Sequence, residues 1–281
     1  RMLPASLYAP KETMPLVDAP ILNHLIWEAA KAGVSRVHLV LSEAKRDLLE
    51  KFLQSGTIHG DEVRVDLPRE CISLGVEGIE IIPHIQANPG GVADAISVAI
   101  EGIEGPFLVL LGDMLMIDKE ESKQYSRPSA SSASSASMRL VSSFESSGLP
   151  VVGVFPVEIN RLSNYGVVEL SGDIVSNIVE KPQTKHVKSN YILCGRYLLP
   201  RNTREILEKF PISEYGELQS IFLLRSLIET TGLNAVKLDS MNMYDSGEPI
   251  SWLKAQIDHS LSRDDMRDEM RRWINDRINQ D

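Results

Sequence analysis

Hydrophobic positions in the first part of the chain, from residue 20 to about 118, alternate between helical and strand spacing. Apolar residues three and four apart predict helices over 19–33, 43–56 and 90–102. Compact apolar runs predict buried strands over 35–42, 78–85 and 106–115. Each predicted helix is followed by a strand, and this repeated winding is typical of a layered parallel α/β sheet.

The second part of the chain is richer in predicted strands. It starts after a low-complexity serine segment, 126–137, whose lack of hydrophobic residues predicts a surface loop. A short helix is predicted over 138–148. Strands are predicted over 150–157, 165–170, 173–180, 191–199 and 234–239, and helices over 202–209, 216–230 and 247–261. These segments either extend the sheet or build a β-rich lobe beside it.

The last segment, 262–281, is highly charged and has sparse apolar positions, which predicts a helix. Two interpretations stay open at this point. The helix is either solvated and packed by one narrow face, or it forms an oligomer contact.

Composition narrows the class of protein. The chain has 281 residues with 43% hydrophobic content, enough for a sizeable core in one large domain or two small ones. A formal net charge of -10 argues against a nucleic acid partner, which requires clustered cations, but leaves a small phosphorylated substrate possible. No apolar run approaches the roughly 18 residues of a membrane helix, and the start does not resemble a signal peptide. We therefore expect a cytoplasmic protein without a membrane partner.

Cysteine and histidine positions indicate neither a disulfide framework nor a zinc site. Cys71 and Cys194 are far apart and form no C-x-x-C pair, so both are expected to be reduced core thiols. The six histidines share no metal-ligand spacing, and no Ser/His/Asp arrangement is present. The sequence thus offers no candidate for covalent catalysis.

Candidate chemistry begins with the proline-rich opening, which carries Arg1 and Lys11 in "RMLPASLYAPKETMP". Such a loop is either a solvated turn or a source of positive charge for phosphate. The segment "QANPGGVADA" starts at Gln86 and contains Gly91. A Pro-Gly-Gly turn commonly starts a helix, but an amide side chain beside it could also pair with a base edge.

Two aspartates follow apolar strands. Asp113 ends "FLVLLGD", and the carboxyl ends of strands in open α/β sheets face the ligand crevice. Asp245 lies in "MYDSGEP". Each aspartate could instead be an ordinary cap or turn residue. Two carboxylates together with phosphates and water would suit Mg²⁺.

A fourth pattern pairs Tyr165 and Gly166, in "NYGVVEL", with a later strand that ends in Glu180, Lys181 and Pro182. Two such strands form a hairpin-like unit. Taken alone, "EKP" is only a polar strand end. A carboxylate can accept hydrogen bonds from sugar hydroxyls, and a lysine can hold a phosphate as a point charge.

In this order, the segments resemble the signature of the sugar-1-phosphate nucleotidyltransferases. That family carries G-x-G-T-R-x-x-P and P-K-E-x-x-P, then Q-x-x-P-x-G, an aspartate after a strand, Y-G-V-[VI] with a downstream E-K-P, and a second aspartate after a strand. The resemblance runs from Arg1 to about Leu261, nearly the whole chain. Val92, where the family often has leucine, is a mild departure. The glycines and strand that should precede Arg1 are not in the sequence, and we expect the native protein to carry them.

The resemblance implies a Rossmann-like α/β sandwich, with a mixed, mainly parallel central sheet and a small β-rich sugar-binding lobe. It implies one domain over 1–281, with a nucleotide-binding half at 1–118 and a sugar-phosphate-binding half at 150–261. The surface loop would be 126–137 and the C-terminal helix 262–281. We also expect a homo-oligomer, either a dimer or a tetramer.

The resemblance also implies roles for individual residues. The catalytic cations would be Arg1, Lys11 and Lys181. Nucleotide-binding residues would be Gln86, Gly91 and Asp113, and sugar-phosphate-binding residues would be Gly166, Glu180 and Lys181. The Mg²⁺ ligands would be Asp113 and Asp245. Arg196 is left out of the site, because a structural salt bridge explains it at least as well.

Within this family, "PKE" at 10–12 and "DSGEPISWLKA" resemble the uridylyltransferase branch more than the thymidylyltransferase branch. The resemblance implies transfer of a uridylyl group from UTP to glucose 1-phosphate, giving UDP-glucose and pyrophosphate with Mg²⁺. A thymidylyltransferase or another sugar-1-phosphate nucleotidyltransferase stays open, as does a non-catalytic sugar-nucleotide-binding homologue.

Overall fold

The computed structural model describes residues 10–46, 57–58, 61–62, 78–88, 90–119, 125, 128–183, 187–216 and 219–279. The strands are β1 (Pro15–Leu16), β2 (Ala19–Pro20), β3 (Arg36–Ser42), β4 (Thr57–Ile58), β5 (Asp61–Glu62), β6 (Glu80–Gln86), β7 (Phe107–Leu110), β8 (Met114–Asp118), β9 (Val151–Pro156), β10 (Gly166–Ser171), β11 (Ile174–Glu180), β12 (Tyr191–Leu199), β13 (Asn234–Lys237) and β14 (Met241–Asp245). The helices are α1 (Ile21–Lys31), α2 (Val92–Ala99), α3 (Ala136–Ser147), α4 (Thr203–Leu207), α5 (Ile212–Tyr215), α6 (Gln219–Thr230), α7 (Pro249–Ser262) and α8 (Arg267–Ile278). The α/β class is confirmed.

The largest sheet has six strands in the order β10–β11–β13–β9–β12–β7. The prediction of a mainly parallel sheet is wrong for these strands. Only β13 and β9 pair in parallel, and the other neighbouring pairs are antiparallel. The reason is local: β10 and β11 form an antiparallel hairpin, which needs no helical crossover, and β12 runs opposite to its neighbours β9 and β7. The strands β7, β9 and β13 still share one direction, as repeated winding requires.

Helices cover both faces of this sheet. Side chains of α2, α4 and α6 form the largest core cluster with β9, β11 and β13. On the other face, Leu140 of α3 packs against Val151 and Leu198. The α3 helix ends where Gly148 takes a φ of 70°, a conformation that favours glycine. The result is a three-layer sandwich, in which the ends of the central strands stay open.

Of the four smaller strand pairs in the described ranges, two matter for the site. Strands β3 and β6 run parallel over their whole length, and β8 pairs antiparallel with β14. A cleft of about 1040 Å³ separates β3 from β7 and is lined by both strands and by α1, α2 and α3. The strand expected before Arg1 stays a prediction.

Two local predictions need correction. The strand predicted over 106–115 is divided: β7 ends at Leu110, and β8 begins at Met114 with a different partner. The surface loop predicted over 126–137 is wrong in its second half, because Ala133 and residues 135–137 are buried. Small alanine and serine side chains lose little conformational entropy on burial, and the serines find carboxylate partners.

Other predictions agree with the structure, apart from shifted ends. The helix predicted over 43–56 is described only to residue 46, where a 3₁₀ turn spans Glu43–Lys45, and the rest lies outside the described residues. Cys71 also lies outside them. Cys194 is a buried free thiol, and burial raises its pKa to about 12. Across the described ranges, no helix is both long and apolar enough to cross a bilayer.

Candidate active site

The pairing of β8 with β14 brings together two aspartates that are far apart in sequence. Asp245, the last residue of β14, lies opposite Met114, the first residue of β8. The backbone N–H of Ser246 donates to the carbonyl oxygen of Asp113 at 2.8 Å. The hydroxyl of Ser246 donates to the same oxygen at 3.1 Å. The two carboxylates therefore sit at the same end of one strand pair.

A lysine reaches this point from the proline-rich opening. Lys11 begins a 3₁₀ turn, Lys11–Thr13, and its ammonium forms an ion pair with the Asp113 carboxylate. A Cβ added to Gly247 would lie 2.9 Å from Asp245 Oδ1 and 3.6 Å from Lys11 Nζ. Glycine at this position thus keeps the space between the lysine and Asp245 open. The side chains of Lys11 and Asp113 are both about one-third exposed, so solutes can reach them.

The start of α7 fixes the position of Asp245. Its backbone N–H donates to Ser251 Oγ at 2.8 Å, and its Oδ1 accepts from the N–H of Gly247 at 2.8 Å. Glu248 caps α7 by accepting from the N–H groups of Ile250 and Ser251. The carboxylate position is therefore set by a helix start as well as by a strand.

A buried ion pair lies beneath the aspartates. Arg196 of β12 donates through Nε and Nη2 to the two carboxylate oxygens of Glu28, at 2.8 and 3.0 Å. Its Nη2 also donates to the carbonyl of Met114 at 2.8 Å. Burial lowers the pKa of Arg196, but the Glu28 carboxylate outweighs burial and raises it. Arg196 is thus a structural cation, and it supports the residue next to Asp113.

Sequence reasoning did not identify Glu28 as the partner of Arg196. The sequence gives one indication that Glu28 is buried: it lies in α1 next to Leu25, Ile26 and Trp27, which are themselves buried. A carboxylate on the buried face of an amphipathic helix needs a buried partner. That partner could not be named without the fold.

Gln86 and Gly91 lie together at the end of β6 and the start of α2. The amide nitrogen of Gln86 donates to the carboxylate of Asp94 and lies 3.4 Å from the Gly91 carbonyl oxygen. Asp94, which the sequence analysis did not single out, also accepts from the N–H of Gly90 at 3.3 Å. Gly91 precedes the helix with a φ of 95°, which favours glycine. Asp94 therefore fixes the orientation of the Gln86 amide.

The third predicted group lies on the β10–β11 hairpin. Gly166 pairs with Glu180 across the hairpin, and a Cβ on Gly166 would lie 3.0 Å from Glu180 Oε2. Lys181 follows with a φ of 43°, unusual for a residue with a side chain, and its N–H donates to the Tyr165 carbonyl at 3.0 Å. Its ammonium lies 3.7 Å from Glu180 Oε1 and is well exposed. The structure thus brings Gly166, Glu180 and Lys181 together.

Strand β12 connects this hairpin to the aspartate pair. Leu193 lies against the position that a Cβ on Gly166 would occupy. Two residues later, Gly195 accepts a hydrogen bond from the N–H of Leu111 at 2.9 Å, two residues before Asp113. The pairing register of β12 shifts at this point. Gly195 has a φ of 73°, consistent with a local bulge.

The side chains at this place can be assessed as possible ligands of a metal ion. Nowhere in the described ranges do three or more His, Cys, Asp or Glu residues form a group that could hold one. Of the described residues, the carboxylates of Asp113 and Asp245 are therefore the ones that could ligate a metal at this place. That set fits Mg²⁺, which prefers oxygen and usually keeps several waters and substrate phosphates. Arg1, the remaining predicted catalytic residue, lies outside the described residues.

The chain is similar in sequence to named proteins over nearly its whole length. The UTP–glucose-1-phosphate uridylyltransferase of Streptococcus pyogenes is 28% identical over 284 residues, covering 98% of this chain and 89% of that protein. The UTP–glucose-1-phosphate uridylyltransferase YngB of Bacillus subtilis strain 168 is 27% identical over 288 residues, covering 99% and 91%.

Solved structures show the same similarity. A UDP-glucose pyrophosphorylase from Acinetobacter baumannii has a TM-score of 0.80 and 25% identity, covering 98% of this chain and 94% of that one. A UTP-bound UGPase from the same organism has a TM-score of 0.79 and 26% identity, with the same coverage. The model of the nucleotidyl transferase family matches residues 1–259. The chain therefore belongs to the nucleotidyl transferase family.

Proposed function

We propose that this protein transfers a uridylyl group from UTP to glucose 1-phosphate, giving UDP-glucose and pyrophosphate with the aid of Mg²⁺. The similar Streptococcus and Bacillus proteins carry the name of this activity, and one similar Acinetobacter structure is described as UTP-bound. In this proposal the first half of the chain binds the nucleotide and the second half binds the sugar phosphate.

One observation carries the proposal: the β8–β14 pairing gathers Asp113, Asp245 and Lys11 at one edge of the large cleft. The lining of that cleft includes Glu12 and Gly112, the neighbours of Lys11 and Asp113. It also includes Gln86 and Gly91 at the end of β6. A nucleotide with its base near Gln86 would direct its phosphates towards the lysine and the aspartates.

The chemistry requires little proton transfer. The attacking phosphate oxygen of glucose 1-phosphate is already anionic at neutral pH, so no general base is needed. An in-line attack on the α-phosphorus of UTP displaces pyrophosphate. The difficulty is bringing two anions together and neutralising charge as it develops.

The residues would divide this work. Lys11 would contact the phosphates of UTP together with Arg1, and Lys181 would hold the phosphate of the sugar. Asp113 and Asp245 would hold Mg²⁺, which supplies positive charge to the phosphate oxygens. Glu180 would accept hydrogen bonds from sugar hydroxyls, and Gly166 would leave room for the sugar beside it.

The base would be recognised at Gln86. Because the amide nitrogen of Gln86 donates to Asp94, its carbonyl oxygen is left to accept from the N3–H of uracil. The backbone of Gly91 would contact the same edge of the base. Uracil and thymine differ by one methyl group, which is worth only about 1–3 kcal/mol of discrimination in an apolar pocket. We expect UTP to be preferred and dTTP to be used slowly.

Pyrophosphate release tests the proposal. It should be measured with UTP, dTTP, CTP, ATP and GTP, each combined with a panel of sugar 1-phosphates, with and without Mg²⁺. We expect the highest kcat/KM for UTP with glucose 1-phosphate, and loss of turnover on chelation. A preference for dTTP would establish the thymidylyl alternative. Nucleotide binding without pyrophosphate release from any pair would indicate a non-catalytic homologue.

A further inference from the structure

Two histidines meet on one face of the β3–β6 strand pair. In the parallel register, His38 lies opposite the residue two positions before His84, so the two imidazoles are diagonal neighbours. The ring nitrogens His38 Nδ1 and His84 Nε2 lie 2.9 Å apart. The apolar side chains of the opposite face pack on α1, and because side chains alternate along a strand, neither histidine belongs to that cluster. The two histidines are 46 residues apart in sequence, so only the fold brings them together.

The protonation of this pair suits a metal ligand. In a hydrogen bond between two neutral imidazoles, one nitrogen donates and the other accepts. Burial and the neighbouring His84 imidazole lower the pKa of His38 below its ordinary value, which keeps His38 neutral at physiological pH. Arg36 on the same face lowers that pKa further, while Glu80 opposes it. The neutral imidazole is the form of histidine that ligates a metal.

The separation of the two nitrogens is close to that of two ligands on one ion. Zn–N distances are about 2.0–2.1 Å, so two nitrogens on a tetrahedral ion lie about 3.4 Å apart. An ion that replaces the shared proton therefore requires the nitrogens to separate by only about half an ångström, together with a turn of each ring towards the ion. Both side chains are half-buried rather than enclosed, so water can complete the coordination.

A glycine fixes the space for the His38 ring. Gly102 ends the 3₁₀ turn Ile100–Gly102, which follows α2. A Cβ added to Gly102 would lie 2.8 Å from His38 Cε1, closer than two carbon atoms can approach without a shift. Any side chain at this position would therefore displace the ring. The backbone beneath the ring is also held, because β3 and β6 stay in register along their whole length.

We infer that His38 and His84 form a binding site for a divalent transition-metal ion such as Zn²⁺, Ni²⁺ or Cu²⁺, with water in the remaining positions. Imidazole nitrogen suits these ions, whereas Mg²⁺ prefers oxygen, so this site differs in chemistry from the aspartate pair. Affinity should follow the usual order for nitrogen ligands, with Cu²⁺ bound most tightly. A bound ion would tie β3 to β6 just before their ends at Ser42 and Gln86, which are register partners. The inference is independent of the proposed activity.

Ni²⁺ binding by the untagged, chelator-treated protein tests the inference. Isothermal titration calorimetry gives the affinity, and urea denaturation gives the stabilisation, because an ion that binds the folded chain raises the free energy of unfolding. We expect Ni²⁺ and Zn²⁺ to raise the urea midpoint of the wild type. His38→Asn and His84→Asn should each weaken Ni²⁺ binding at least about tenfold and remove most of that rise. Any effect of Mg²⁺ should be the same in the wild type and in both variants.

Two glycine variants distinguish this geometry from the mere presence of histidine. Gly102→Ala keeps all six histidines but displaces the His38 ring, so it should weaken Ni²⁺ binding. The matched control is Gly105→Ala, because a Cβ there meets nothing within 4 Å and should leave the affinity unchanged. Far-UV circular dichroism and the metal-free urea midpoint check that each variant is folded. A wild type that binds no Ni²⁺, an affinity that survives either histidine variant, or equal affinities in Gly102→Ala and Gly105→Ala would each overturn the inference.

Discussion

The buried ion pair of Arg196 and Glu28 allows a quantitative prediction. The two side chains are 0% and 2% exposed, and they link β12 to α1. Arg196 also donates to the carbonyl oxygens of Met114 and Gly195, while Glu28 accepts from the N–H and hydroxyl of Ser137. Removing either charge leaves the other buried without its partner.

The structure sets the size of the effect. Breaking a buried pair from one side costs about 3–5 kcal/mol, because an uncompensated charge remains in the interior. Arg196→Met also leaves the Met114 carbonyl without its donor, which adds about 1–3 kcal/mol. Removing both charges, in Arg196→Met with Glu28→Leu, leaves only the unpaired carbonyls and Ser137 groups. The double variant should therefore be no less stable than either single variant, and more stable than the sum of the two effects by at least about 2 kcal/mol.

Urea denaturation is the appropriate assay, because urea is uncharged and does not screen the pair. The loss in either single variant approaches the whole free energy of unfolding of a typical domain, about 5–15 kcal/mol. Glu28→Gln, which has nearly the same shape as the wild-type side chain, therefore serves as a milder variant. Arg204→Met is the matched control. Arg204 pairs with Glu208 at 3.4 Å, but both side chains are more than half exposed, so its loss should cost less than about 1 kcal/mol.

Two results would refute this reasoning. One is a loss for Arg196→Met no larger than the loss for Arg204→Met. The other is a double variant whose loss equals the sum of the two single losses. Either result would mean that the low-dielectric interior inferred around the pair is accessible to water.

Asp113→Asn and Asp245→Asn should each lower turnover on the order of a hundred-fold with little change in the urea midpoint; near-normal turnover in both would exclude the metal assignment. Lys181→Ala should raise the KM for glucose 1-phosphate, and Gln86→Ala that for UTP; if each variant raised both KM values equally, the proposed division would be wrong. Burial and a neighbouring guanidinium lower the pKa of His259 from 6.5 to about 4. As pH falls, the His259 imidazole is therefore protonated at a higher pH in the unfolded chain than in the folded one. The free energy of unfolding should then fall between about pH 6.5 and 4, by up to about 3 kcal/mol. His259→Gln should weaken this dependence in urea denaturation at several pH values, and an unchanged slope would contradict it.

The order of helices and strands was predictable, because burial on one or both faces leaves a period in the sequence. The division of the strand over 106–115 had only a weak signal, because Gly112 and Asp113, both common turn residues, interrupt the apolar run. The new partner of the second piece had no signal. The break arises because β7 pairs with β12 and β8 pairs with β14. A change of partner is a tertiary event and leaves no local pattern.

Neighbours within each candidate group were predictable where short motifs hold them together. Gly91 lies five residues after Gln86, and the β10–β11 hairpin brings Gly166 to Glu180. The supporting contacts were not predictable. Arg196 and Glu28 are 168 residues apart in sequence. The buried serines of 135–137 also resembled a solvated linker, because their carboxylate partners come from other elements.

The link between β8 and β14 has a consequence for how the protein is made. Ser246 and the Asp113 carbonyl that it contacts are 133 residues apart, so this bond closes a long loop of chain. Contacts of that separation form slowly in folding, and a ribosome releases the second aspartate long after the first. A nascent or truncated chain can therefore fold much of its sheet while it lacks the paired carboxylates. Pairing of these two strands is therefore a late step, which completes the carboxylate pair only after the chain through Asp245 has emerged.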